Sequence, residues 1–355
     1  MFEIDPDIRR AHTPPSRLYT DPQVFERQKE RIFARSWQWA ADAAEVRVPG
    51  AVHPFVLLPG CLDEPLLLTR DARDVRHCVS NVCTHRGNLV CEHSGVENSL
   101  RCRYHGRRFA LDGAFQHMPE FENVEGFPDA RDSLTRVTLE SLGPLLFASL
   151  SPAEPFADWV RPVRERVAHW PLDEFRLDPA RSRDYLVRCN WALYCENYLE
   201  GFHIPFVHAS LNQAIDYGSY RTELFTTSSL QLGFARGDED TLDCGVDEGG
   251  AVAAYYFWLW PNLMLNFYPW GLSVNVIRPQ AVDRTRVSFI SYVWRAERLD
   301  RGAGADLDRV EREDESIVEA VQRGLRGRLY KNGRYSPSRE TGTHHFHRLL
   351  AAALA

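Results

Sequence analysis

The sequence predicts an α+β protein with two domains, and three observations support this fold class. The chain has 355 residues, the length of two domains at roughly 100–200 residues each. Residues 38–150 alternate short apolar runs with turn-forming residues, as in a small antiparallel β domain. Residues 151–355 mix strand-like stretches with two helical patterns, over about 191–204 and 307–330. Strands and helices mixed in this way are typical of the α+β class.

The first residues, 1–37, are expected to form a helical extension that packs on the C-terminal domain. Asp21 is suited to cap a helix, and Pro22 is suited to its first turn. Three prolines mark the boundary between the two domains: Pro152, Pro155 and Pro162.

Composition excludes several classes of protein. Hydrophobic residues make up 44% and aromatic residues 12% of the chain, which excludes a disordered protein. The charges sum to 42 − 49 = −7, so the chain lacks the basic surface of a nucleic-acid binder. The longest apolar stretch, 251–270, is broken by prolines and asparagines and does not read as a membrane span. We therefore expect a cytoplasmic protein with eight reduced cysteines, some of them metal ligands.

Two cysteine–histidine pairs form the first chemical motif. Cys83 and His85 are followed, after sixteen residues, by Cys102 and His105. Two thiolates and two imidazoles suit either zinc or a two-iron cluster. A zinc finger pairs cysteine with cysteine and histidine with histidine, whereas each loop here supplies one of each. That pattern matches a Rieske [2Fe–2S] cluster, in which both cysteines bind one iron and both histidines bind the other.

The stretch 81–109, with Cys-x-His-Arg-Gly and Cys-x-x-His-Gly, resembles the Rieske domain of non-haem iron oxygenases. Arg103 and Arg107 depart from that family, in which many members carry a smaller or apolar residue and a tryptophan. Five arginines surround the two motifs, and they form either a solvated face or a docking patch for an acidic ferredoxin or reductase. They are Arg86, Arg101, Arg103, Arg107 and Arg108.

A second motif lies in the C-terminal domain. Glu196, Glu200 and His203 are spaced by four and three, so they share one face if the segment is helical. His208 follows five residues later, and a bend at Pro205 would bring both imidazoles to one point. Either histidine alone also suits a core position. With a carboxylate, the pair forms the facial triad of non-haem Fe(II) oxygenases.

The family resemblance implies the roles of these residues. Carboxylate-x-x-His-x₄-His after a Rieske domain resembles the family's iron motif, so His203 and His208 are expected to bind mononuclear iron. The third ligand is expected to be Asp314, which lies in an acidic triplet at the start of a helix over 316–324, with Glu313 and Glu315 as alternatives.

The same resemblance implies a homotrimer of head-to-tail subunits. Electrons would then pass from His105 of one subunit through Glu200 to His203 of the next.

Two aromatic stretches, 255–260 and 267–270, are either ordinary core or a cage for a quaternary ammonium group. Their surroundings, Trp-Pro-Asn-Leu and Asn-x-Tyr-Pro-Trp-Gly, resemble the branch that includes glycine betaine, choline and carnitine oxygenases. A quaternary amine or an aromatic acid is therefore the expected substrate.

The resemblance implies a small antiparallel Rieske domain at 38–150 and a helix-grip (START-like) mononuclear iron domain at 151–355. It implies the terminal oxygenase component of a Rieske oxygenase, which uses O₂ and receives NAD(P)H electrons only through a separate reductase or ferredoxin. The reaction would be hydroxylation or oxidative N- or O-demethylation, with aromatic ring cis-dihydroxylation as the alternative. Two other classes stay open at this point, namely a pure Rieske electron carrier and a hydrophobic-ligand-binding module.

Overall fold

The structure is a computed structural model that describes residues 2–237, 239–245, 248–305 and 307–355. The chain divides into two compact units, one of residues 34–153 and the other of residues 1–33 with 154–355. Each unit is built on antiparallel sheets, and helices accompany the sheet of the second. The predicted α+β class is confirmed. No helix in the described ranges is both long enough and apolar enough to cross a membrane.

The unit 34–153 is a β domain with one large and one small sheet. Its strands are β1 Gln38–Asp42, β2 Ala51–Leu57, β3 Glu64–Arg70, β4 Arg76–Ser80, β5 Gly95–Val96, β6 Leu100–Arg101, β7 Arg108–Phe109, β8 Phe115–His117, β9 Arg136–Leu142 and β10 Leu145–Ser149. The large sheet has the order β1-β10-β9-β4-β3-β2-β5, and the small sheet has the order β6-β7-β8. The first cysteine–histidine pair follows β4, and the second lies in the β6–β7 hairpin.

The second unit is a seven-stranded antiparallel sheet with the order β11-β17-β16-β15-β14-β13-β12. Its strands are β11 Arg176–Val187, β12 Arg221–Leu224, β13 Ser228–Phe234, β14 Val252–Leu259, β15 Leu263–Tyr268, β16 Gly271–Ala281 and β17 Arg284–Val293. Its helices are α1 Arg17–Thr20, α2 Pro22–Arg31, α3 Phe156–Arg166, α4 Trp191–Tyr198, α5 Ile204–Val207, α6 Ala209–Ala214, α7 Leu307–Gly324 and α8 Thr341–Leu354. Strands β13, β14 and β15 are buried along their whole length, so this sheet is the core of the unit.

The N-terminal helices belong to this second unit. Asp21 caps α2, because its carboxylate accepts a hydrogen bond from the N–H of Gln23 at 2.8 Å. Gln28 of α2 accepts from the indole N–H of Trp191 at 2.9 Å, and Phe33 packs edge-on against the same indole, with ring centroids 4.9 Å apart. A buried polar bond and an aromatic contact thus join residues 1–33 to α4.

Two helix bounds differ from those predicted. The helix expected over 191–204 ends at Tyr198, so the residues from Glu200 to His203 form a turn. Gly201 allows this turn, because a Cβ there would lie 2.7 Å from the Tyr220 ring. Helix α7 begins at Leu307, so the triplet 313–315 lies inside the helix rather than at its start.

Candidate metal centres and substrate cavity

The two cysteine–histidine loops fold alike. In each loop the cysteine N–H donates to the carbonyl five residues later, and the glycine N–H four residues later donates to the cysteine carbonyl. These four bonds measure 2.8–3.0 Å and join Cys83 to Asn88, Gly87 to Cys83, Cys102 to Arg107 and Gly106 to Cys102. Both glycines have positive φ, +72° and +78°, which a residue with a side chain rarely adopts. One backbone design therefore presents both ligand pairs.

The donor set fits a Rieske cluster. Cys83 and Cys102 are buried, whereas His85 and His105 are partly exposed with ring centroids 4.7 Å apart. Burial, together with the neighbouring Cys102 sulfur, raises the pKa of the Cys83 thiol, so a thiolate there needs a positive partner such as iron. The side-chain amide of Asn88 donates to the sulfur of Cys102 at 3.6 Å, a contact that would tune this sulfur as a cluster ligand.

Arg107 does not belong to a docking surface, which corrects one part of the sequence interpretation. Its side chain is only 2% exposed, and its guanidinium donates to the carboxylate of Asp132 at 2.6 Å and to the carbonyl of Asp132 at 3.0 Å. The hydroxyl of Thr84, in the first loop, donates to the same carbonyl at 2.8 Å. Asp132 therefore ties the two cluster loops together. The other four arginines of the set are exposed.

We expect Arg107→Met to destabilise the unit 34–153 by about 3 kcal/mol, because removing one partner of a buried ion pair leaves a charge unpaired. The carboxylate of Asp132 is 20% exposed, which keeps the effect at the lower end of the usual range. Denaturant unfolding followed by the visible circular dichroism of the cluster measures this change. Arg108→Met, at an exposed neighbouring position, is the matched control. Equal unfolding midpoints for the two variants would show that the Arg107–Asp132 ion pair does not stabilise the unit.

Three predicted iron ligands meet in the second unit. The Nε2 atoms of His203 and His208 lie 3.2 Å apart, and Asp314 Oδ1 lies 3.0 Å from His208 Nε2 and 3.5 Å from His203 Nε2. Three ligand atoms about 2.1 Å from one metal ion, at right angles to one another, are separated by about 3.0 Å. Among the described residues, these three side chains lie close enough together to hold one metal ion. Their donor atoms fit Fe(II).

Two carboxylates orient the histidines from behind. Nδ1 of His203 lies 2.6 Å from Glu200 Oε1, and Nδ1 of His208 lies 2.8 Å from Glu313 Oε2. An Nδ1–H that donates to a carboxylate leaves the Nε2 lone pair free for a metal. Both Nε2 atoms then face each other, an arrangement that a cation between them stabilises.

Negative groups surround His208. Burial lowers the pKa of this imidazole, but the hydrogen bonds and charges of Asp314 and Glu313 outweigh burial, so that its pKa is raised. The amide of Asn197 donates to Asp314 Oδ1 at 2.6 Å and holds that carboxylate in place. The sequence interpretation missed Asn197. Its position three residues before Glu200, on the helix that leads to the motif, was the available signal.

We expect Glu313→Gln to weaken iron binding about 10–100-fold, the usual effect of losing an outer hydrogen-bond partner of a metal-binding histidine. Competition for Fe(II) against a colorimetric chelator measures the affinity. Arg309→Gln is the control, because Arg309 also bonds to Glu313, at 3.1 Å, but does not touch His208. An affinity for iron in Glu313→Gln equal to that of the unmodified chain would show that Glu313 does not support His208.

One other predicted placement is wrong. Glu196 does not share a helical face with Glu200 and His203, because α4 ends between them. Its carboxylate lies instead 3.0 Å from Nε2 of His347, a fully buried residue of α8. Glu315, the other alternative to Asp314, is absent from the tight ligand group formed by the described residues.

A cavity of about 760 Å³, part of it open to solvent, adjoins the three ligands. Its aromatic lining residues are Tyr194, Tyr198, Tyr220, Tyr256, Tyr268 and Phe289. Three carboxylates line it, namely Glu200, Glu311 and Asp314, and no arginine or lysine does so among the described residues. An aromatic, acidic wall of this kind suits an organic cation.

The two aromatic stretches contribute only part of this wall. Tyr256 and Tyr268 line the cavity. Trp258 and Trp260 pack instead against Phe346 of α8, with ring centroids 5.3 and 6.2 Å away. Trp270 stacks on Tyr268 at 5.5 Å. The two stretches therefore supply core packing together with two tyrosines of the cavity wall, and the ammonium cage stays a prediction.

Both units match families of known proteins. Residues 36–128 match the family described as Rieske [2Fe-2S] domain, and residues 165–355 match Ring hydroxylating alpha subunit (catalytic domain). The chain is 31% identical over 357 residues to the carnitine monooxygenase oxygenase subunit of Escherichia coli K12, covering 97% of this chain and 94% of that protein. It is 29% identical over 372 residues to the chloroplastic choline monooxygenase of Arabidopsis thaliana, covering 99% and 85%.

Solved structures agree with these matches. A quaternary ammonium Rieske monooxygenase in complex with an inhibitor superposes with a TM-score of 0.80 at 25% identity, covering 98% of this chain and 97% of the other. Naphthalene 1,2-dioxygenase from Rhodococcus sp. superposes with a TM-score of 0.71 at 17% identity, covering 97% and 94%, which is a likeness of fold.

Proposed function

The chain belongs to the ring-hydroxylating alpha-subunit family of Rieske oxygenases, and from this premise we propose that it hydroxylates a small quaternary ammonium compound. The family membership makes the chain the terminal oxygenase component, as the sequence predicted. The observation that carries the substrate class is the cavity beside His203, His208 and Asp314, whose described lining has six aromatic rings and three carboxylates.

An organic cation fits this lining better than an aromatic acid. Tyrosine and phenylalanine faces attract a quaternary ammonium group through their negative face, and carboxylates add favourable charge. A carboxylate substrate would meet three acidic side chains and no arginine or lysine among the described lining residues. The relatives named choline monooxygenase and carnitine monooxygenase support the same substrate class.

The chain's own residues bind and orient the reactants. Cys83, Cys102, His85 and His105 would hold the [2Fe–2S] cluster, and the triad built on Asp314 would hold Fe(II). When bound, these groups supply electrons one at a time and activate O₂. Glu200 and Glu313 hold the Nδ1 protons of the histidines, and the aromatic wall excludes water from the substrate.

The proposed reaction is a monooxygenation. One atom of O₂ enters a C–H bond next to the cationic nitrogen, and the other leaves as water with two protons and two electrons. If an N-methyl carbon is attacked, the hydroxymethyl product breaks its C–N bond to give formaldehyde, a proton and the demethylated amine. The electrons would come from NAD(P)H through a separate reductase, with or without a ferredoxin. The homotrimer and the cytoplasmic location remain predictions from the sequence.

A single-turnover experiment tests this function. The iron-loaded protein is reduced, exposed to O₂, and given either trimethylammonium compounds or aromatic acids. We expect hydroxylated or demethylated product from the ammonium compounds alone, with formaldehyde wherever an N-methyl group is attacked. A ring diol from an aromatic acid, without product from any ammonium compound, would contradict the proposed substrate class.

A further inference from the structure

Glu311 is a buried carboxylate for which the described residues offer no direct partner. Its residue is only 8% exposed, and it has neither a hydrogen bond nor a salt bridge within the described part of the chain. A carboxylate buried in this way is costly unless a cation or a donor compensates it. Since Glu311 lines the substrate cavity, the compensating group can be a bound molecule.

The position of Glu311 suits contact with a substrate. It lies on α7 three residues before Asp314, and residues three apart on a helix have Cβ atoms about 5–6 Å apart on the same face. Glu311 also lines a second cavity that adjoins the first. Ser273, Phe289 and Leu307 line both cavities as well. The carboxylate therefore stands at the junction of two spaces, about one helical turn from an iron ligand.

The electrostatic surroundings of Glu311 are mostly acidic. Burial raises the pKa of Glu311 well above its usual range, and Asp308, Asp314 and Glu315 act in the same direction. Arg183 acts in the opposite direction. Iron on Asp314 would neutralise only one of the three acids.

Arg183 is a weak counter-ion for Glu311. It is an exposed residue, and its guanidinium donates to the backbone carbonyls of Ala180 and Ser182 at 2.5 and 2.8 Å. Solvent screens an exposed charge of this kind.

We propose that Glu311 is the residue that recognises the positive charge of the substrate, an inference that rests on the proposed function. The rings of Tyr256 and Tyr268 contact the methyl groups, while Glu311 provides the opposite charge. A cation held there places one substituent toward the triad and leaves the rest of the molecule to extend into the second cavity.

Two ligands of equal shape test this assignment. Choline carries a trimethylammonium group, and its neutral analogue carries a tert-butyl group in the same place. Calorimetric titration of the full chain, loaded with cluster and iron, measures the affinity for each. We expect the unmodified chain to prefer choline about 10–100-fold. Glu311→Gln should lower this preference to about threefold, the part that cation–π contacts supply, with the affinity for the neutral alcohol unchanged.

Two further variants complete the test. Glu315 lies one helical turn beyond Glu311 on α7, and its side chain does not line the cavity. Glu315→Gln therefore removes the same charge away from the cavity and should keep the preference of the unmodified chain. Glu311→Met suits an apolar environment if the glutamine variant fails to fold, and it should lower the preference to the same level as Glu311→Gln. A preference retained in Glu311→Gln or Glu311→Met would overturn the role of Glu311 alone. Failure of the unmodified chain to prefer choline would overturn the proposed function and this inference together.

Discussion

Asp314→Ala is expected to lose the mononuclear iron and, with it, all oxygenase turnover, while the [2Fe–2S] cluster stays in place. Asp314 Oδ1 lies 3.0 and 3.5 Å from the two Nε2 atoms, so its removal leaves two neutral ligands and an open side. Iron affinity should fall by more than the factor of about 10–100 that follows loss of a hydrogen-bond partner behind a metal-binding histidine. Iron analysis per cluster, together with single-turnover product yield, measures both losses.

Glu315→Ala is the control for this experiment. It removes a neighbouring carboxylate on α7 that is not in the tight ligand group of described residues. Iron content and product yield should match those of the unmodified chain. If Asp314→Ala keeps one mononuclear iron per chain, a neighbouring carboxylate is the ligand and the assignment of Asp314 is wrong.

Glu200→Gln is expected to keep both metal centres and to slow turnover about 10–100-fold. Glu200 Oε1 lies 2.6 Å from Nδ1 of His203, and Glu200 Oε2 accepts from the N–H of His203 at 3.1 Å. A neutral amide in its place weakens the link to the iron ligand without removing that ligand. The family resemblance predicts that the same carboxylate would carry electrons from His105 of a neighbouring subunit to His203. Stopped-flow oxidation of the reduced cluster should slow to the same extent as turnover.

Hydrogen peroxide separates electron transfer from iron positioning. Hydrogen peroxide is equivalent to O₂ plus two electrons and two protons. A reaction with peroxide therefore needs no electrons from the cluster. Product yield with peroxide should be nearly equal in Glu200→Gln and the unmodified chain. Full turnover with O₂ in iron-replete Glu200→Gln would refute the role of Glu200 in electron transfer. Loss of the peroxide reaction would reduce Glu200 to a positioning residue for His203.

The local motifs were predictable because their geometry is local. The hydrogen bonds that close each cluster loop join residues four or five positions apart in the chain. The spacing of the motif alone therefore defines the loop. The helical face proposed for Glu196, Glu200 and His203 was wrong, since periodicity does not detect a contact such as the one between Gly201 and Tyr220. The charge of Arg107 predicted a surface position, whereas a partner 25 residues away holds it in the interior.

The sequence by itself determined the family and the fold class, and it predicted the ligand pairs of both centres, because these depend on short spacings and on chemistry carried by single residues. Tertiary structure decided which atoms converge. It brought Asp314 to His208 across 106 positions, made Glu313 the support of that imidazole, and buried Glu311 in the cavity wall. Adjacent carboxylates on one helix look alike in sequence, and only the packing of α7 against the histidines brings Asp314 to Nε2 and Glu313 to Nδ1 of the same imidazole.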